Sequence, residues 1–147
     1  MKIYFDVCCL NRPFDDQTQG RIRLETEAIL LILSRIETGD LQWLSSTAVV
    51  AEVKQTPDES RRKRVLQLLE QANESVTITN EVIVRMKTLE SFGFKPFDSL
   101  HLACSEQGQA DVFLTTDDKL IGLANRLAER IKVEVTNPLI WVHEGKK

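Results

Sequence analysis

Short runs of β-branched and aromatic residues alternate along this chain with stretches of helical periodicity. That alternation restricts the fold more than any other feature. Ile3-Tyr4-Phe5, Leu41-Gln42-Trp43-Leu44, Val76-Thr77-Ile78-Thr79, Val112-Phe113-Leu114 and Lys132 to Val135 have the character of strands. Between them, apolar residues recur at helical spacing: Ile29, Ile32, Leu33 and Ile36; Val65, Leu68, Leu69 and Ala72; Val82, Met86 and Leu89; Leu120, Leu123, Ala124 and Leu127. Gly39, Gly93 and Gly108 stand where helices should stop, and Pro96 where one should start. Strands joined through helices need right-handed crossovers. The predicted fold is therefore α/β: a three-layer α/β/α sandwich with a central, mostly parallel sheet of about five strands.

The 147 residues suffice for one domain, expected over residues 1–140, with a C-terminal tail over 141–147 that frays from Gly145. The longest apolar runs, such as Ala28 to Leu33, are too short to span a bilayer, so no membrane role is expected. The opening Met-Lys-Ile-Tyr-Phe-Asp reaches an acid at once, unlike a secretory leader. A cytoplasmic location is the expectation. Cys8, Cys9 and Cys104 are odd in number and lack a CxxC spacing, which excludes a disulfide framework or a zinc knuckle. The net charge of −3 argues against indiscriminate nucleic-acid binding, while leaving room for local basic patches. Arg61 to Arg64 read as a solvated helix face; Arg12, Arg21 and Arg23 form a looser group.

Four acids then stand out: Asp6, Glu52, Asp98 and Asp117. Each has a plain reading when taken singly. Asp6 would end a strand in a turn, Asp98 and Asp117 would cap or open helices, and Glu52 would lie on a solvated helix face. Together they carry more, because strand ends on one side of a parallel sheet form the usual ligand crevice. Carboxylates gathered there from distant segments call for a cation, and a divalent cation suggests hydrolysis. A phosphoacceptor domain would need an Asp after the third strand, where Thr79-Asn80 stand; an aspartyl-phosphate phosphatase would need Asp-x-Asp, where Cys8 holds the second position. No glycine-rich phosphate loop occurs.

Tyr4-Phe5-Asp6, Glu52 after Ser45-Ser46, Gly93 to Ala103 with Asp98 and His101, and Leu114-Thr115-Thr116-Asp117 resemble the four acidic motifs of PIN domains, over residues 2 to about 136. The resemblance implies a PIN-like fold and a Mg²⁺- or Mn²⁺-dependent endoribonuclease. It further implies that Asp6, Asp98 and Asp117 hold the metal and that Glu52 acts through water or helps hold a second ion. Thr115 and Lys95 would support the site, and Arg12, Arg21 and Arg23 would track RNA. His101 is expected to be a hydrogen-bonding residue of the motif. Many small PIN proteins are VapC-type toxins, so an antitoxin partner and a homodimer are also implied. Val7 and Cys8 stand where such proteins often carry hydroxyl or other polar residues. They keep open the alternative of a non-catalytic PIN-like nucleic-acid-binding or protein-interaction module.

Overall fold

The computed structural model describes residues 1–145. Five strands form one sheet: β1 (Lys2–Phe5), β2 (Gln42–Ser46), β3 (Glu74–Val76), β4 (Val112–Leu114) and β5 (Glu134–Thr136). Their order is β3-β2-β1-β4-β5 and every pair is parallel, as the alternation requires. Helices α1 (Val7–Asn11), α2 (Gly20–Glu37), α3 (Thr47–Lys54), α4 (Glu59–Leu69), α5 (Asn80–Ser91), α6 (Pro96–Gln107), α7 (Asp118–Arg126) and α8 (Pro138–His143) complete the domain. No helix among the described residues is long and apolar enough to cross a membrane.

Two neighbouring strands carry buried apolar runs: Ile3, Tyr4 and Phe5 of β1, and Val112, Phe113 and Leu114 of β4. A parallel sheet covered on both faces produces such continuous runs. Trp43 meets Phe5 edge-on at 5.5 Å, and Tyr4 stacks on Phe113 at 5.3 Å. Burying each large side chain of this kind contributes roughly 1.5–3 kcal/mol. Strand β1 is the point where the chain order reverses, with β2 on one side and β4 on the other. Such a switch point opens a crevice at the carboxyl ends of the strands.

Three boundaries differ from the sequence reading. The third strand covers Glu74–Val76 rather than 76–79. Thr79 is β-branched, but its hydroxyl accepts from Val82 N and caps α5, which takes that stretch out of the sheet. The loop expected after Asp6 begins with α1, because Asp6 caps it by accepting from Val7 N at 2.9 Å. The tail expected from 141 begins inside α8, whose Trp141 is buried in the core. Lys146 and Lys147, the end of the expected frayed segment, lie outside the described residues.

Candidate metal and active site

The register of the sheet builds the site. Phe5 of β1 pairs with Leu114 of β4, so Asp6 and Thr115 leave the sheet side by side. Asp6 N donates to Leu114 O at 2.9 Å, and Thr115 Oγ1 donates to Asp6 Oδ2 at 2.8 Å. The same Thr115 oxygen accepts from Asp117 N at 3.1 Å. One hydroxyl thus ties the first carboxylate to the backbone of the last. The Cys8 thiol lies 3.5 Å from Asp6 Oδ2 and 3.4 Å from Thr115 Oγ1, and so shares this corner.

Two helices bring the remaining acids. Gly93, at φ 110°, ends α5 in a conformation that favours glycine and turns the chain into Lys95 and Pro96. Lys95 is the N-cap residue of α6 and Asp98 lies in its first turn. Ser46 ends β2 and caps α3 by accepting from Val49 N, which sets the helix carrying Glu52. Asp117 caps α7, its Oδ1 accepting from Lys119 N and Leu120 N. The cap contributes about 0.5–2 kcal/mol to α7 whatever else Asp117 does.

Ligating atoms of Asp6, Glu52 and His101 all lie within 4.8 Å of one another and could hold a metal ion. Asp98 and Asp117 line the mouth beyond them, a cleft of about 380 Å³ also walled by Lys95, Lys119 and Arg126. Asp6 connects the halves electrostatically. The Asp98 pKa is pushed up to about 6, by burial first and then by the charges of Asp6 and Asp117. Burial also pushes the Asp6 pKa up from 3.8, against the opposing pull of His101 and the Thr115 hydroxyl. Among the described residues neither carboxylate has an ion-pair partner within salt-bridge distance. A pocket rich in carboxylate oxygen, with no cation paired to Asp6 or Asp98, fits a hard divalent ion such as Mg²⁺ or Mn²⁺.

Of the residues predicted from sequence, Asp6, Glu52, Asp98, Asp117 and Thr115 therefore sit around one crevice. Lys95 lines its mouth. His101 is closer to the centre than its sequence reading suggests, at 2.7 Å from Glu52. Arg12 and Arg21 do not stand free for RNA. Arg12 is paired with Asp15 and Glu25, and Arg21 with Glu25 and Asp118. Arg23 is exposed on α2. Arg61, read as part of a solvated face, instead pairs with Asp15 at 2.7 Å. Lys119 and Arg126 were missed. Their spacing of seven on α7, with Gly122 between, is the signal that puts them on one helix face.

No family profile matches the chain, and no curated protein sequence matches it. Solved structures do. One is a chain of VapBC2 from Rickettsia felis, a complex bound to a DNA fragment from its promoter. It superposes with a TM-score of 0.61 over 93% of this chain and 98% of that chain, at 14% identity. The fold is that of a PIN domain. A chain of VapBC-1 from nontypeable Haemophilus influenzae superposes with a TM-score of 0.58, covering 94% of this chain and 98% of that chain, at 13% identity. At such identities the shared property is the PIN fold: the all-parallel five-stranded sheet with helices on both faces.

Proposed function

We propose that the protein is a metal-dependent endoribonuclease with Asp6, Glu52, Asp98 and Asp117 as its site carboxylates. The observation that carries this reading is the buried Asp6 carboxylate without a paired lysine or arginine, beside Glu52 and close to Asp98, at the switch point of the sheet. Asp6, Asp98 and Asp117 would hold Mg²⁺ or Mn²⁺, with Glu52 helping to hold a second ion or acting through water. When bound, such an ion activates water at neutral pH and offsets charge developing on a phosphodiester. The protein's own part is to hold the carboxylates in place. Val7 N and Thr115 Oγ1 fix the two oxygens of Asp6, and the cap bonds of α7 fix Asp117. Lys95, Lys119 and Arg126 on the cleft wall would meet the phosphates on either side of the bond being cut.

The comparisons support a partner as well, since both neighbours are VapBC complexes. The proposal is a toxin of a toxin–antitoxin pair, working in the cytoplasm as a homodimer and restrained by an antitoxin protein. Leu24, Leu30 and Leu31 on α2 are 45%, 51% and 48% exposed and offer a protein partner apolar surface.

The test is cleavage of a pool of structured and single-stranded RNA with Mn²⁺, with Mg²⁺ and with chelator, comparing wild type and Asp98→Asn, beside Mn²⁺ calorimetry. Metal-dependent cleavage lost in the variant is the expected result. No cleavage and no Mn²⁺ binding would replace this reading with a non-catalytic module.

A further inference from the structure

His101 is 1% exposed and lies between three elements. It projects from α6, one turn after Asp98. Its Nδ1 is 2.8 Å from Tyr4 Oη on β1, and its Nε2 is 2.7 Å from Glu52 Oε1 on α3. Tyr4 Oη also lies 2.7 Å from Ser46 Oγ at the end of β2, and that oxygen accepts from Val49 N at 3.2 Å. The ring is held by packing too. Phe97 stacks on it at 5.9 Å and Tyr4 meets it edge-on at 5.9 Å.

The directions of these bonds follow from one another. An ionised carboxylate only accepts, so Nε2 must carry the proton that points at Glu52. A neutral ring protonated at Nε2 presents Nδ1 as an acceptor, so the Tyr4 hydroxyl donates to it. The Tyr4 oxygen is then free to accept from the Ser46 hydroxyl. Without the Tyr4 hydroxyl, Nδ1 would lose its anchor and the ring would be held toward Glu52 by packing and the Nε2–H bond alone.

We infer that His101 is a positioning residue for Glu52, its Nε2–H holding one carboxylate oxygen in place while Nδ1 is anchored on the Tyr4 hydroxyl. The role rests on the nuclease reading above. The Glu52 side chain is one-third exposed, so without this bond it would sample several rotamers at the edge of the cleft. With it, Oε1 is engaged and the remaining oxygen is left for the metal side of the site. Partners of this kind behind a metal ligand are typically worth 10–100-fold in affinity or activity.

The experiment has an arm that does not depend on activity. Long-range ¹H–¹⁵N NMR on the full chain, in a His143→Gln background that leaves His101 as the single histidine, reads the tautomer directly. The Nε2–H form is expected in the wild type and also in Tyr4→Phe, where Glu52 still accepts that proton. The second arm measures Mn²⁺ affinity, kcat and KM for His101→Leu, His101→Gln and Tyr4→Phe, below the melting temperature of each. His101→Leu should lose about tenfold in kcat with KM little changed. His101→Gln, which keeps an N–H donor at similar reach, should recover most of that loss. A purely structural histidine would lower the melting temperature of all three variants without moving kcat or Mn²⁺ affinity. That result, or an Nδ1–H tautomer in the wild type, would overturn the inference alone. A wild type that neither cleaves RNA nor binds Mn²⁺ would overturn the nuclease reading and this role with it.

Discussion

Asp6 and Glu25 are both buried carboxylates, 7% and 1% exposed, yet their surroundings are opposite. Glu25 accepts from Arg12 Nε at 2.8 Å, from Arg21 Nε at 3.1 Å and from Asn137 Nδ2 at 2.6 Å. Its charge is met inside the protein, and the cluster ties α2 to the turn after α1 and to the start of α8. Arg21 extends the cluster to Asp118 and the Thr116 carbonyl, beside Asp117. Asp6 has hydrogen bonds from a backbone amide, a hydroxyl and a thiol, but no arginine or lysine pairs with it, and the Glu52 carboxylate is among its charged neighbours. One acid is an internal brace. The other is left with a charge deficit that something from outside the chain can fill. Burial alone does not separate these two acids; the presence of a paired arginine does.

Four measurements would break or sharpen that contrast. The largest effect should come from Asp6→Asn. RNA cleavage should fall by about a thousandfold, ~4 kcal/mol in the barrier, while circular dichroism and melting stay native. Unfolding of this variant would make Asp6 a brace like Glu25. Next, Glu25→Gln should cost about 3 kcal/mol of stability in chemical denaturation, at the lower end for a broken buried pair because Arg21 reaches water. A loss below 1 kcal/mol would show that the arginines, not Glu25, carry the brace.

Mn²⁺ should raise the melting temperature of the wild type, equivalent to about 2.7 kcal/mol at a hundredfold excess over its Kd. The rise should be absent with chelator and small in Asp6→Asn. Equal stabilisation of both proteins would place the ion elsewhere.

The smallest effect concerns pH. The folded pKa of Asp98 is about 6, against an ordinary 3.8. Between those values the folded protein keeps the proton that the unfolded chain has lost, so metal-free stability should fall as pH rises through 6. Asp98→Asn should therefore stabilise the metal-free protein at pH 7 by about 1 kcal/mol. The figure is kept low because Asp98 is half-buried and water screens its charge. At pH 4 the gain should vanish. A gain of equal size at both pH values would detach it from the Asp98 charge.

The sequence by itself determined the architecture. Alternating strand-like and helical runs admit few arrangements, and the apolar stretches Ile3 to Phe5 and Val112 to Leu114 could only be central strands. It also singled out Asp6 and Asp117 as acids following such runs, and Glu52 and Asp98 through the resemblance to PIN motifs, as candidates for one site. Local chemistry was legible where one residue decides it, as in the Gly93 stop after α5 and the Pro96 start of α6. It was less legible where two local preferences competed, as at Thr79, suited to a strand and used as a cap.

Only the tertiary structure decided which charges meet. Arg12 and Arg21 look like loose basic residues until folding brings Glu25, Asp15 and Asp118 against them. His101 looks like a helix-face histidine until Tyr4, 97 positions away, and Glu52, 49 positions away, occupy its two nitrogens. Periodicity along a chain fixes which face a side chain takes, since that is a property of the local backbone. The identity of its partner across the core is set by sheet order and register, and those are properties of the whole fold.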